Sequence, residues 1–144
     1  MIHNIINSKE YRDITTKQIK ELLSFLATNN EEFGLTANLN GITFTPDIPQ
    51  TIKKHFTKYT LFSLANYTLE SLELHDSYIT FEAGFGEENF GSVCRIPYYA
   101  IFQVSIDNSI LYINPTATVE KYFMSEEEEL TQLERSRSAF KLNR

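Results

Sequence analysis

The chain has 144 residues and a formal net charge of −6, with 42% hydrophobic and 13% aromatic residues. This composition predicts a single globular domain with its own core and excludes a disordered chain. The acidic balance argues against nucleic-acid binding, because phosphates repel an acidic surface that has no local basic patch. The basic residues are few and scattered, apart from Lys53, Lys54, His55, Lys58 and the last few residues of the chain.

Cys94 is the only cysteine, so an intrachain disulfide is excluded. A single thiol suits a reducing compartment, and we therefore expect a cytoplasmic protein. The first residues lack a basic region followed by an apolar run, which predicts no secretory signal. No apolar run approaches the roughly 20 residues that a membrane-spanning helix needs, so a membrane is not expected among the partners.

A helix is predicted over residues 13–29, where apolar residues recur at the i, i+3, i+4, i+7 spacing of one helix face. Asp13 or Thr15 can cap its start, and Asn29 and Asn30 can end it in a left-handed conformation. The apolar face is formed by Ile19, Leu22, Leu23 and Leu26. Because an isolated helix of this length is marginal, this face has to pack on the sheet of its own chain or on the helix of a partner.

Beyond Gly34, apolar residues alternate with polar ones, which is typical of half-buried strands. Turn signals separate the segments at Asn40-Gly41, at residues 86–89 and at residues 107–109. Strands are predicted over residues 35–39, 59–65, 78–85, 90–96, 100–106 and 110–113.

Three linking segments have weaker patterns. Residues 42–49 are predicted to form an extended piece that cannot be a central strand, because Pro46 and Pro49 have no N–H to donate. Residues 52–56 are predicted to form a helical turn, and residues 66–73 a connection or a short strand. Together the short strands and regular turns predict a mainly β fold, a small barrel or sandwich behind an N-terminal helix.

The chain changes character after Pro115, so we predict a domain over residues 1–117 and an acidic tail over residues 118–144. The tail holds four consecutive glutamates, and runs of like charge favour a solvated segment. It closes with an apolar and basic cluster, Ala139, Phe140, Lys141 and Leu142. An acidic spacer before such a cluster is typical of a docking peptide, although a frayed terminus or a helix over residues 126–136 is the simpler interpretation.

The sequence contains no recognisable catalytic or metal-ligating pattern. His3, His55 and His75 are far apart, and neither an HExxH nor a CxxC motif is present. Cys94 lies in a predicted strand, where a buried, inert thiol is the simpler interpretation. The glycine-rich GFGEENFG lacks the Lys-Ser/Thr of a phosphate-binding loop. We therefore predict a protein that is not an enzyme and needs no cofactor and no metal.

A binding surface remains possible in the predicted hairpin. Small residues such as Ala65 and Ala83, beside large ones such as Phe81 and Phe85, can leave a shallow apolar groove. Extended peptides bind such grooves through main-chain hydrogen bonds, with pockets for alternate side chains. The alternative is that the same side chains simply fill the core.

Five short motifs follow one another in the second half of the chain: SLELHD at 71–76, I-x-F-x-A-x-FG at 79–86, RIP at 95–97, AI at 100–101 and DN at 107–108. In this order they resemble the stringent starvation protein B (SspB) family, whose pattern reads NLEL-x-ND, V-x-F-x-ARFGG, V-P, AV-x-AIYA and EN. The predicted helix, the first strand and residues 62–69 also match, so the resemblance covers roughly residues 18–115.

The resemblance implies an Sm-like β-barrel that dimerises through its N-terminal helix, with Ile19, Leu22, Leu23 and Leu26 at the dimer interface. It implies an adaptor that binds degradation tags such as ssrA and delivers the tagged proteins to the protease ClpXP. The matching positions for the tag groove are Leu64, Ala65, Phe81, Ala83, Phe85 and Gly86. The matching positions for docking on ClpX are Ala139, Phe140, Lys141 and Leu142.

Three features depart from the family pattern. Gly84 stands in place of the arginine of ARFGG, the following turn carries Glu87 and Glu88, and the tail is much shorter. Both charge differences disfavour an acidic tag. The leading hypothesis is a dimeric, peptide-binding protease adaptor. The alternative is a structural or regulatory interaction module on the same scaffold, with a different partner and no protease delivery; a small-barrel RNA binder comes third.

Overall fold

The computed structural model describes residues 2–124, 130–131 and 133–135. The helices are α1 (Ile2–Ile6), α2 (Lys9–Thr28), α3 (Gln50–Lys53) and α4 (Asn66–Glu70). The strands are β1 (Phe33–Asn38), β2 (Thr43–Thr45), β3 (Tyr59–Leu64), β4 (Glu73–Leu74), β5 (Tyr78–Phe85), β6 (Phe90–Pro97), β7 (Ile101–Ile106) and β8 (Ser109–Ile113).

The strands form two antiparallel four-stranded sheets, in the orders β3-β1-β7-β8 and β2-β6-β5-β4. The predicted β-rich fold with one long helix is confirmed. The bounds of β5 are as predicted, and it forms a hairpin with β6 through a turn in which Gly86 and Asn89 have φ angles of 74° and 53°. β2 lies at the edge of its sheet, which suits a segment that runs directly into Pro46.

Helix α2 begins earlier than predicted. Its N-cap is Ser8, whose Oγ accepts a hydrogen bond from the backbone N–H of Tyr11 at 3.2 Å, so neither Asp13 nor Thr15 caps it. The predicted end is confirmed, because Asn29 is the C-cap and Asn30 has a φ of 53°. The hydroxyl at position 8 satisfies an orphan N–H of the first turn, and this gives the helix one more turn before Asp13.

The apolar face of α2 packs on the core of its own chain. Ile19, Leu23 and Leu26 are buried, and Leu22 is half-buried. Of the four side chains assigned to a dimer interface, three are therefore covered within one chain and are not accessible to a second copy. The packing requirement of an amphipathic helix is met here inside the domain.

The segment 66–73, predicted as a connection or a short strand, contains a short helix that the prediction did not include. It forms α4, with Asn66 at a φ of 52°, and then the two-residue strand β4. A helix of five residues is too short to produce a recognisable period in the sequence. This helix stands beside β5, and its position matters for the candidate site.

Side chains from both sheets and from α2 form one hydrophobic core. Cys94 is fully buried in it, as predicted, and burial raises the pKa of its thiol to about 12. Tyr98 is also fully buried, and its hydroxyl donates to the carbonyl of His75 at 2.8 Å. Desolvation, with a smaller contribution from Asp76, raises the pKa of Tyr98 to about 12.

Hydrogen bonds tie the segment around residue 117 to the rest of the domain. Buried Asn114 donates from Nδ2 to the carbonyl of Ile101 at 3.0 Å, and buried Asn38 donates to the carbonyl of Ala117 at 3.1 Å. The Tyr122 hydroxyl then donates to the carbonyl of Asn7 at 3.1 Å. The predicted docking residues Ala139, Phe140, Lys141 and Leu142 lie outside the described residues.

Candidate functional site

The outer face of the β2-β6-β5-β4 sheet carries a groove of about 500 Å³. Its floor is the β5–β6 pair, where Gly84 lies opposite Gly91 and Glu82 lies opposite Val93. Along β5, Ile79 and Phe81 face the core, and the residues that alternate with them face outward. We call this site the sheet-face groove; its main lining residues are Pro46, Tyr67, Glu82, Gly84, Gly91 and Val93.

Two serine hydroxyls fix the walls of the groove to its floor. On the α4 side, Ser71 Oγ accepts the backbone N–H of Glu82 at 2.8 Å and donates to the carbonyl of Thr68 at 2.7 Å. On the opposite side, Ser92 Oγ donates to the carbonyl of Pro46 at 2.8 Å. These bonds hold Tyr67 of α4 and Pro46 at the two margins, so the groove is formed before any ligand arrives.

Of the residues that the structure describes, Glu82 is the one charged side chain that lines the sheet-face groove. Its carboxylate accepts a hydrogen bond from the hydroxyl of Tyr67. This hydrogen bond, then the charge of Glu82, desolvation and the charge of Glu70, raise the pKa of Tyr67. The tyrosine therefore remains a neutral donor, and the groove has a net negative character.

The edge of β5 that faces α4 is paired only near its start. β4 covers this edge with two pairs, Glu73 with Thr80 and Leu74 with Ile79. Beyond them no strand of the described residues lies on that side of β5. Ser71 Oγ already accepts the N–H of Glu82 on this edge, so main-chain hydrogen bonds to an extended peptide are left to the part of β5 that follows Glu82.

The residues predicted for the tag groove do not come together in one surface. Leu64 and Phe81 are buried in the core. Phe85 is half-buried in an aromatic cluster with Phe44, Phe56 and Phe62, whose ring centroids lie 5.8, 5.6 and 6.2 Å from its own. For Phe81 and Phe85 the structure therefore favours the alternative in which these side chains fill the core.

The other three predicted residues lie closer to the surface. Ala83 lines the sheet-face groove while also packing against the core. Ala65 is the N-cap of α4, which carries the Tyr67 wall. Gly86 begins the hairpin turn, where an added Cβ would lie 3.0 Å from Ile52 Cδ1. Only Ala83 of the predicted set contributes directly to the groove.

Sequence reasoning missed most of the groove. The position of Gly91 could have indicated the groove. It lies opposite Gly84 across the hairpin, so neither strand has a side chain at that level. Tyr67 carried none, because its position depends on α4. For Glu82, the sequence could predict an outward-facing position on β5 but not its place in a groove.

Other chemistry is not evident in the part of the chain that the structure describes. No group of three His, Cys, Asp or Glu there is placed to hold a metal ion. None of the described helices has the length and apolar character needed to cross a membrane. His75 stacks on Tyr78, with ring centroids 4.5 Å apart, and lies 3.5 Å from a carboxylate oxygen of Glu73.

Comparison with known proteins leaves the family of this chain open. No family model matches its sequence, and no curated protein matches it either. The functional argument therefore depends on the geometry of the sheet-face groove and on the resemblance of the motifs.

Proposed function

We propose that this protein is a peptide-binding adaptor with an SspB-like barrel fold, which binds an extended segment of its cargo and delivers that cargo to the protease ClpXP. The observation that supports it most is a preformed groove beside the unpaired half of β5. Its volume falls in the usual range of ligand sites, roughly 300–1,000 Å³. Cytoplasmic location and the absence of catalytic activity belong to the same proposal.

The walls support a bound peptide more than a small molecule. The groove lies on the face of a sheet, between a tyrosine ring and a proline. Tyr67 is 63% exposed, although its ring is large and apolar, so it presents a ready contact surface. Rigid aromatic side chains of this kind are frequent in interfaces because few torsions are lost on binding.

The proposed adaptor is a dimer that uses the outer side of α2. Ile14 and Phe25 of this helix are 53% and 64% exposed, and Leu22 is half-buried between them. These residues share one side of the helix, next to the covered face. A dimer contact built from them keeps the helix-mediated association that the resemblance implies without opening the core.

Peptide binding is tested by fluorescence anisotropy with a labelled ssrA peptide and with labelled peptides of other charge. A Gly91→Leu variant is expected to lose binding, because a Cβ at residue 91 meets no atom within 4 Å and the side chain fills the groove without straining the fold. Thr43→Leu is the matched control, since it adds the same side chain to an exposed position of β2 that does not line the groove. Absence of binding by every peptide would overturn the proposal.

Delivery to the protease is tested separately by deleting residues 130–144. An adaptor is expected to keep peptide binding and to lose accelerated degradation of a bound substrate by ClpXP. If the full chain binds a peptide but never accelerates degradation, the alternative of an interaction module with another partner replaces the adaptor.

A further inference from the structure

We propose that the sheet-face groove selects an extended peptide that carries a lysine or an arginine, and that Glu82 binds this cation. The inference rests on the proposed peptide-binding function and adds the chemical class of the peptide. Its support comes from the charge of the lining residues, from the surroundings of Glu82 and from the apolar surfaces beside its carboxylate.

The charge of the groove has one sign. Glu82 lines it, and no lysine, arginine or histidine among the described residues does. Glu70 lies close enough to act on the Tyr67 hydroxyl, and the hairpin turn at the end of the groove carries Glu87 and Glu88, both exposed. A cationic side chain is attracted to such a surface, whereas an acidic peptide is repelled.

Glu82 has no cationic partner among the described residues, because none of the ion pairs found there includes it. One cation on the same sheet face is Arg95, which follows the strand partner of Glu82 by two positions. Its guanidinium instead lies over the ring of Tyr78, 4.0 Å from the ring centroid. The carboxylate therefore retains its capacity to accept hydrogen bonds from an incoming cation.

The surfaces beside Glu82 suit the long stem of a basic side chain. The exposed ring of Tyr67 lies on one side and Val93, 36% exposed, lies across the strand pair. Lysine and arginine pack their aliphatic stems against such surfaces, and the charged group lies at the far end of the side chain. The face of a tyrosine ring also attracts cations.

The floor beyond Glu82 lets a backbone come close. Gly91 leaves the β6 side of this floor open, because a Cβ there would meet no atom within 4 Å, whereas the side chain of Asn89 covers Gly84. Small residues of the peptide, such as alanine or glycine, fit beside the basic one. The groove is therefore expected to prefer a basic peptide with small neighbouring residues over an acidic tag.

The experiment uses the full chain and three labelled nine-residue peptides that share an alanine–serine–valine sequence and differ only at the centre, which is lysine, glutamine or glutamate. Affinity is measured by fluorescence anisotropy. We expect the lysine peptide to bind about tenfold more tightly than the glutamate peptide, the scale of a partly exposed charge-assisted contact. Glu82→Gln is expected to remove the preference, and Glu82→Lys to invert it.

Glu21→Gln is the matched control, because it removes the same charge from an exposed position on α2. It is expected to leave all three affinities unchanged. Equal binding of the lysine and glutamate peptides, or a preference that persists in Glu82→Gln, would overturn the inference and leave peptide binding intact. Failure of all three peptides to bind would overturn the inference together with the proposed function.

Discussion

Asn89 occupies the space that a side chain at Gly84 would need: a Cβ at residue 84 would lie 1.7 Å from Oδ1 of Asn89. Asn89 takes this position from the end of the hairpin turn, where its φ is 53°. At this point of the strand, where the SspB pattern has an arginine, the side chain of Asn89 covers the glycine. The glycine and the asparagine act as a pair.

This pairing predicts a coupled effect on stability. Gly84→Ala is expected to lower the free energy of unfolding by about 1 kcal/mol, the low end of overpacking, because the exposed Asn89 side chain can rotate away. In an Asn89→Gly background the same change is expected to cost almost nothing, and a double-mutant cycle in urea measures the difference. Gly91→Ala is the control, since its Cβ has open space. Equal costs for Gly84→Ala in both backgrounds would contradict the pairing.

Phe85 is predicted to act on stability and not on peptide affinity. Its ring packs against Phe44 at 5.8 Å and Phe56 at 5.6 Å, so Phe85→Ala leaves a partly exposed cavity. We expect a loss of about 2 kcal/mol in the free energy of unfolding, below the cost for a fully buried ring. Chemical denaturation measures it, with Phe85→Leu as a smaller truncation that should cost less.

The second measurement for this variant is the affinity of the folded Phe85→Ala protein for a groove-binding peptide. It is expected to equal that of the wild type when measured well below the unfolding transition. A variant with normal stability and weakened binding would instead place Phe85 in the binding surface, as the resemblance implies.

The strands could be predicted from the sequence because the alternation of apolar and polar residues lies within each strand. The alternation from Tyr78 to Phe85 is enough to place β5 and to divide its side chains between core and solvent. The start of α2 was missed because Ser8 lies before the apolar pattern begins, and a capping hydroxyl has no period.

The groove could not be predicted in the same way, since it is a relation between segments. Glu82 and Tyr67 meet only because Ser71 fixes α4 beside β5. The resemblance placed the tag groove at the β5–β6 hairpin and gave priority to its large apolar residues, of which Phe81 faces the core. The small and polar residues between them line the accessible side.

The proposed dimer predicts a change of mass on one substitution. Phe25→Glu places a charge on the exposed side of α2 and is expected to convert the dimer to a monomer, because burying an unpaired carboxylate is costly. Sedimentation equilibrium measures the mass. Ser24→Glu adds the same charge to an exposed neighbour that points to another side of the helix and should leave the dimer intact. A wild-type chain that sediments as a monomer at high concentration would contradict the dimer itself.

Alkaline pH is predicted to destabilise the protein through Cys94. Burial raises the pKa of this thiol from 9.0 to about 12, so the folded state keeps its proton where the unfolded state loses it. The thiol therefore supports the folded state fully below pH 9, and this contribution is lost as the pH rises toward 12. The free energy of unfolding is expected to fall by about 1 kcal/mol per pH unit in this window.

The comparison with Cys94→Ala isolates the thiol from Tyr98, whose pKa is raised to about 12 in the same region. Both proteins lose stability as the unfolded tyrosine ionises, but only the wild type loses the additional thiol contribution. Urea denaturation at several pH values between 8 and 11 should therefore give a steeper decline for the wild type than for Cys94→Ala. Parallel declines, or rapid reaction of the native thiol with a disulfide reagent at pH 8, would show that Cys94 is not held protonated by burial.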